Sequence, residues 1–96
     1  MKKKTVKPGI DIVASVAKDF RKKQMELIED GITELTIDLT GTKMIDSVGI
    51  GVLITLHNTI NQLDGKLIII NASKNIFKLF KTMRLDKHFE INPAEE

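Results

Sequence analysis

The sequence predicts an α/β domain. Helical and strand periodicities alternate at short intervals along the chain, and the breaks between them fall at glycine-containing turn signals such as Pro8-Gly9, Asp30-Gly31 and Asp64-Gly65. Length sets the scale: 96 residues hold one domain, 1–96, with one modest, mainly aliphatic core.

Taken in order, Thr5 to Lys7 is a short extended segment closed by Pro8-Gly9, since proline disfavours helix at the residue before it. Val13, Val16, Ala17, Phe20, Leu27 and Ile28 then follow the 3.6-residue period of a helix, which Asp30-Gly31 stops. Leu35, Ile37 and Leu39 alternate with Thr36, Asp38 and Thr40, the period of a strand. A second helix is expected from Val48 to about Leu63, with Ile50, Leu53, Ile54, His57 and Ile60 on one face and Asp64-Gly65 at its end. Leu67 to Ile70 is an unbroken aliphatic run that reads as a strand buried on both faces. Ser73 can cap a third helix carrying Ile76, Leu79, Phe80 and Met83, and a last strand or coil follows at Phe89 to Ile91.

Composition narrows the function classes. With no cysteine there is no disulfide framework, thiolate metal site or catalytic thiol. Fifteen basic against 13 acidic side chains leave a net charge of +2, too balanced to point to nucleic acid. Lys2, Lys3, Lys4 and Lys7 read as a solvated terminus, and Met1 to Lys4 lacks the apolar stretch of a signal peptide. No apolar run approaches the ~18 residues of a membrane span. A cytoplasmic protein without membrane insertion is expected.

Catalysis finds little to work with. Gly49-Ile50-Gly51 is the one close glycine pair and lacks the Lys-Ser/Thr of a phosphate-binding loop. His57 lies ten residues beyond Ser47 on the same expected helix, roughly 15 Å away, so it cannot act as its base. Two histidines without a spaced carboxylate pair make no metal motif; His57 reads as a core-edge residue and His88 as a surface one. Neither an enzyme activity nor a cofactor is expected.

The informative segment is Met44 to Leu53, which runs from a strand end into a helix. Asp46 and Ser47 are both good helix caps, and the unpaired N–H groups and dipole of that helix end favour negative charge. A phosphate on Ser47 would be tolerated by the helix and would add about two negative charges beside Asp46. Ser47 therefore reads either as an ordinary cap or as a phosphorylation switch.

Asp46-Ser47-Val48-Gly49-Ile50-Gly51-Val52-Leu53 resembles the Asp-Ser-Ser/Thr-Gly-Leu-Gly-Val-Leu signature of STAS domains, the anti-sigma factor antagonists and their relatives. Gly9-Ile10-Asp11, Leu35 to Thr40, and Gly65 to Asn71 followed by Phe77 to Leu85 resemble further family segments, so the likeness runs from about residue 5 to 91. It implies a mixed sheet of four or so strands with helices mainly on one face, and no enzymatic activity. It also implies a protein that binds a serine-kinase anti-sigma factor when unphosphorylated and is released when that kinase phosphorylates the signature serine, which a phosphatase reverses. Carried to this chain, the phosphorylation site is Ser47 and the partner-binding residues are Asp46, Ser47, Val48, Gly49, Ile50 and Gly51. The alternative is an unphosphorylated interaction subunit of a transporter or stress-signalling complex; a nucleotide-binding regulator is a weaker third reading. The family's second signature hydroxyl is Val48 here, which leaves Ser47 as the acceptor, with Thr40 and Thr42 in second rank. The family also starts with a longer run before Gly9, so the first strand is expected to be missing or shortened, and a homodimer through that N-terminal edge is the corresponding expectation.

Overall fold

In a computed structural model, residues 2–94 are described; the expected limits of 1–96, and Met1 of the basic run, extend beyond them. The elements are β1 (Lys3–Val6), α1 (Ala14–Glu29), β2 (Glu34–Asp38), α2 (Ser47–Gln62), β3 (Lys66–Ala72), α3 (Lys74–Thr82), a 3-10 turn (Leu85–Lys87) and β4 (Glu90–Pro93). The four strands lie in the order β1-β2-β3-β4.

Each strand pair is parallel. This corrects the expectation of a mixed sheet. A two-residue hairpin reverses a chain, whereas every link between consecutive strands here passes through a helix, which returns the chain to the same end of the sheet. Right-handed crossovers stepping steadily in one direction place every crossover helix on the same face. Burial agrees. Leu35, Ile37, Leu67 and Ile69 are buried, while Thr36, Ile68 and Ile70 between them are only half-buried. The Leu67–Ile70 run is thus buried on one face, not two.

The core lies between that inner sheet face and the helices. It is mostly aliphatic, with Phe20, Phe80 and Phe89 as its aromatic members. α1 contributes Ala17, Phe20, Gln24 and Ile28; α2 contributes Gly49, Ile50, Val52, Leu53, Leu56 and Ile60. Ser73 caps α3 as expected, its Oγ accepting from the Ile76 N–H at 3.3 Å. The two Asp-Gly stops differ in mechanism. Gly31 itself has φ +104°, whereas at the second it is Asp64 that turns left-handed, at φ +62°. Gly65 is required there for space, because a Cβ would meet the Thr33 carbonyl oxygen at 2.3 Å.

At the N-terminal edge a short first strand does form. β1 pairs through Lys3–Val6 with Glu34–Ile37 of β2 and is mostly exposed.

Candidate functional site

Two segments that enter helices run side by side. Ile12 and Ile45 form an isolated parallel bridge, with the Ile12 N–H donating to the Met44 carbonyl at 3.1 Å and the Asp46 N–H to the Ile12 carbonyl at 3.3 Å. The N-termini of α1 and α2 are thereby set next to each other.

Asp46 joins them. It is the N-cap of α2, and its Oδ1 accepts from the Gly49 N–H at 2.9 Å. The cap position of α1 is Val13, whose side chain has no oxygen to offer. Asp46 supplies what Val13 lacks: its Oδ2 accepts from the Ala14 N–H at 2.9 Å. One carboxylate thus satisfies an orphan donor on each of two helices. The Gly49 N–H, and then that of Ala14, hold its pKa below the ordinary carboxylate value.

A second carboxylate braces the loop from the other segment. Asp11 Oδ1 accepts from the Lys43 and Met44 N–H groups at 2.8 and 3.0 Å. Thr42 is 3% exposed and its hydroxyl donates to the Ile10 carbonyl at 2.8 Å, so it is not available as a phosphoacceptor. Thr40 is exposed, but its hydroxyl donates to Asp38 Oδ1 at 2.7 Å. Asp38 also accepts from the Thr40 and Asn71 N–H groups, and these bonds lower its pKa, the Thr40 hydroxyl foremost.

Ser47 is the first residue of α2 and is exposed. Val48 beside it is 48% exposed. Of the six residues expected to meet a partner, Gly49 and Ile50 do not reach the surface; both are buried. Gly49 shapes the site from beneath, since a Cβ there would sit 2.1 Å from the Ile12 carbonyl oxygen and 2.8 Å from Ile45 Cγ2. Gly51 is exposed with open space around it, so close packing explains only the first glycine of the pair. Met44, 56% exposed, and Ile10, 50% exposed, belong to the same two segments and were missed by the sequence reading. Their signal was present in Gly9-Ile10-Asp11 and in the apolar step before Asp46, but exposure is not legible in residue type.

The profile of the STAS domain family matches residues 4–96, and the chain belongs to that family. Among individual proteins, it is similar to the anti-sigma-B factor antagonist of Listeria monocytogenes, with 32% identity over 68 residues. That match covers 71% of this chain but 59% of the Listeria protein, so the chain spans about three-fifths of that relative's length. In structure, it superposes with a TM-score of 0.90 on a candidate anti-sigma factor antagonist of Thermotoga maritima, at 18% identity, covering 94% of this chain and 78% of the other. The Bacillus cell fate determinant SpoIIAA in its phosphorylated form matches with a TM-score of 0.74 at 18% identity, covering 94% and 82%. At these identities the structural likenesses establish the fold. Among the described residues, no helix is long and apolar enough to cross a membrane.

Proposed function

We propose that this protein is a partner-switching regulator of the anti-sigma factor antagonist kind. In its unphosphorylated form it binds a serine-kinase anti-sigma factor in the cytoplasm, and phosphorylation of Ser47 releases it until a phosphatase restores the hydroxyl. The observation that carries this reading is the placement of Ser47. It is an exposed hydroxyl on the first turn of α2, next to a carboxylate that locks two helix ends, beside the exposed apolar side chain of Val48. Met44 and Ile10 add exposed apolar surface from the two bridged segments.

The physics of the switch is local. A partner that covers Val48 and Met44 also covers Ser47, and desolvates whatever stands there. A hydroxyl is inexpensive to cover; a phosphate of about two negative charges next to Asp46 is not. The helix end still accepts the phosphate, so modification ejects the partner without unfolding the chain. Gly49 and Ile50 support the surface from the core, and Gly51 lies at its margin.

Binding of the anti-sigma factor kinase from the same organism tests this. Ser47→Asp should weaken the complex by at least about tenfold while Ser47→Ala leaves it unchanged. Equal affinity of the two variants would sink the switch. Intact-mass measurement on protein from native cells should show one phosphate, lost in Ser47→Ala.

A further inference from the structure

A groove with a volume of about 750 Å³ runs between the end of β1 and α1, lined by Val6, Pro8, Ile10, Val16, Phe20 and Leu27 among others. Gln24 lines it too. Its side chain is 5% exposed on an otherwise apolar stripe, and its Oε1 is buried with no hydrogen-bond partner among the described residues. A buried acceptor without a donor is an unfilled place for one.

The groove adjoins an open sheet edge. In a parallel ladder alternate residues bond the neighbouring strand. The Lys2 carbonyl accepts from the Glu34 N–H, so Lys2, Lys4 and Val6 turn their backbone groups to β2. Lys3 and Thr5 therefore turn theirs outward, where, among the described residues, no other strand of the sheet stands. Side chains alternate as well. Val6 shares the helix-side face with buried Ile37, while Lys3 and Thr5 share the open face with Glu34 and Thr36.

We infer that the β1 edge and this groove together take an extended peptide segment of another protein as a fifth strand, one alternating acidic and apolar residues. Its backbone pairs with Lys3 and Thr5. Its apolar side chains, set beside Val6, enter the groove, and a donor from it reaches Gln24. Its acidic side chains lie on the open face beside Lys3, where Lys3 and Lys66 share the single carboxylate of Glu34 at 3.6 and 3.5 Å and so leave an excess positive charge. The α1 wall carries Asp19, Glu26 and Asp30 with Lys23, and Asp19 is paired with Lys23 at 3.3 Å. Those carboxylates exclude acidic side chains from the groove-facing set, and the Val6, Ile10, Val16, Phe20 and Leu27 lining favours apolar ones. A second copy of this chain is a poor occupant, because edge-to-edge pairing would set Lys2, Lys3 and Lys4 of the two copies against each other. The groove shares Ile10 with the exposed apolar surface near Ser47, whereas Lys3, Thr5 and Gln24 belong to the groove and edge alone, so peptide binding is measured in the absence of the switch partner.

The test uses the full chain, isotope-labelled, titrated to millimolar concentration with an acetylated six-residue peptide alternating Glu and Val. A second peptide carries Lys in place of Glu. Saturable shifts in the Lys3–Lys7 amides and the Gln24 side-chain amide are expected with the Glu peptide, and about tenfold weaker binding with the Lys peptide. Thr5→Pro removes an outward N–H without touching the β2 ladder and should abolish the shifts. Gln24→Leu should weaken binding several-fold yet raise the melting temperature of the free protein, a pairing that general damage to the fold would not produce. No saturable binding of the Glu peptide, equal binding of both peptides, or full binding by Thr5→Pro would each overturn the proposal. A dimer in sedimentation that Thr5→Pro dissolves would overturn it in favour of a second copy.

Discussion

Asp46 and Gly49 show how much of the site rests on individual side chains. A carboxylate at position 46 is legible in the sequence as a helix cap; that it also serves the end of α1, 32 residues earlier, is not. The same holds for Gly49. Its place in a signature is visible, but its reason is the Ile12 carbonyl, which approaches to where a Cβ would stand. Gly49→Ala should therefore destabilise the protein by about 1–3 kcal/mol, because the obstacle is backbone and cannot rotate away. Gly51→Ala should do the reverse and stabilise by about 0.5–1 kcal/mol, since the position is helical, exposed and unobstructed. Urea unfolding of the two variants checks both signs; two losses of similar size would show that the glycines share one role. Asp46 adds a pH dependence. Its lowered pKa means that the folded state holds the ionised form more strongly than the unfolded chain does. The stability it contributes is complete above the ordinary carboxylate range and is lost as pH falls through the folded value. Asp46→Asn should flatten that acid limb of the unfolding midpoint measured against pH.

At the scale of elements, α2 is both the site helix and a core helix, and its far end carries a second sensitive group. The His57 ring lies 5.3 Å from Phe89 and 6.4 Å from His88, with Nδ1 buried and, among the described residues, without a hydrogen-bond partner. Burial, and after it the charge of His88, lower its pKa below the ordinary 6.5. The sign follows. The unfolded chain takes up this proton first, so the contribution of His57 to stability falls as pH drops below about 6.5 and continues to fall until the folded value is passed. His57→Leu should remove that loss: its urea midpoint should change less than that of the parent between about pH 7.5 and about pH 5.5. An unchanged slope would assign the loss to other groups. The expectation of His57 at the edge of the core thus holds, and its neighbours on the 3-10 turn and β4 side supply the consequence.

For the whole molecule, the one-directional order of parallel strands is the decisive property. Among the described residues it leaves two edges, β1 and β4, and one face without helices, an arrangement unusual for a parallel sheet. The two central strands carry the buried pairs Leu35–Leu67 and Ile37–Ile69, while the edge strands are short and largely exposed. Hydrogen exchange should accordingly be slowest at the amides of β2 and β3 and faster in β1 and β4. Uniform protection across all strands would mean that the edges are covered in solution. The open face is held by side chains rather than by a second layer: Glu34 reaches Lys3 at 3.6 Å and Lys66 at 3.5 Å, linking three strands.

Local chemistry determined the element list. Period 2 and period 3.6 are properties of residue spacing, and the caps at Asp46 and Ser73 act within one turn, so each was readable along the chain, to within a residue or two at most ends. The sequence also identified Ser47 as the hydroxyl that follows a cap. Tertiary structure decided everything that depends on what lies opposite: that all strands run parallel, that Ile68 and Ile70 are half-buried, that Ile50 is core while Met44 and Ile10 are surface, and that Thr42 is sealed by a carbonyl 32 residues away. The physical reason is range. Propensity, capping and turn chemistry act over a few bonds, whereas burial and the second partner of a carboxylate are settled only when distant segments meet.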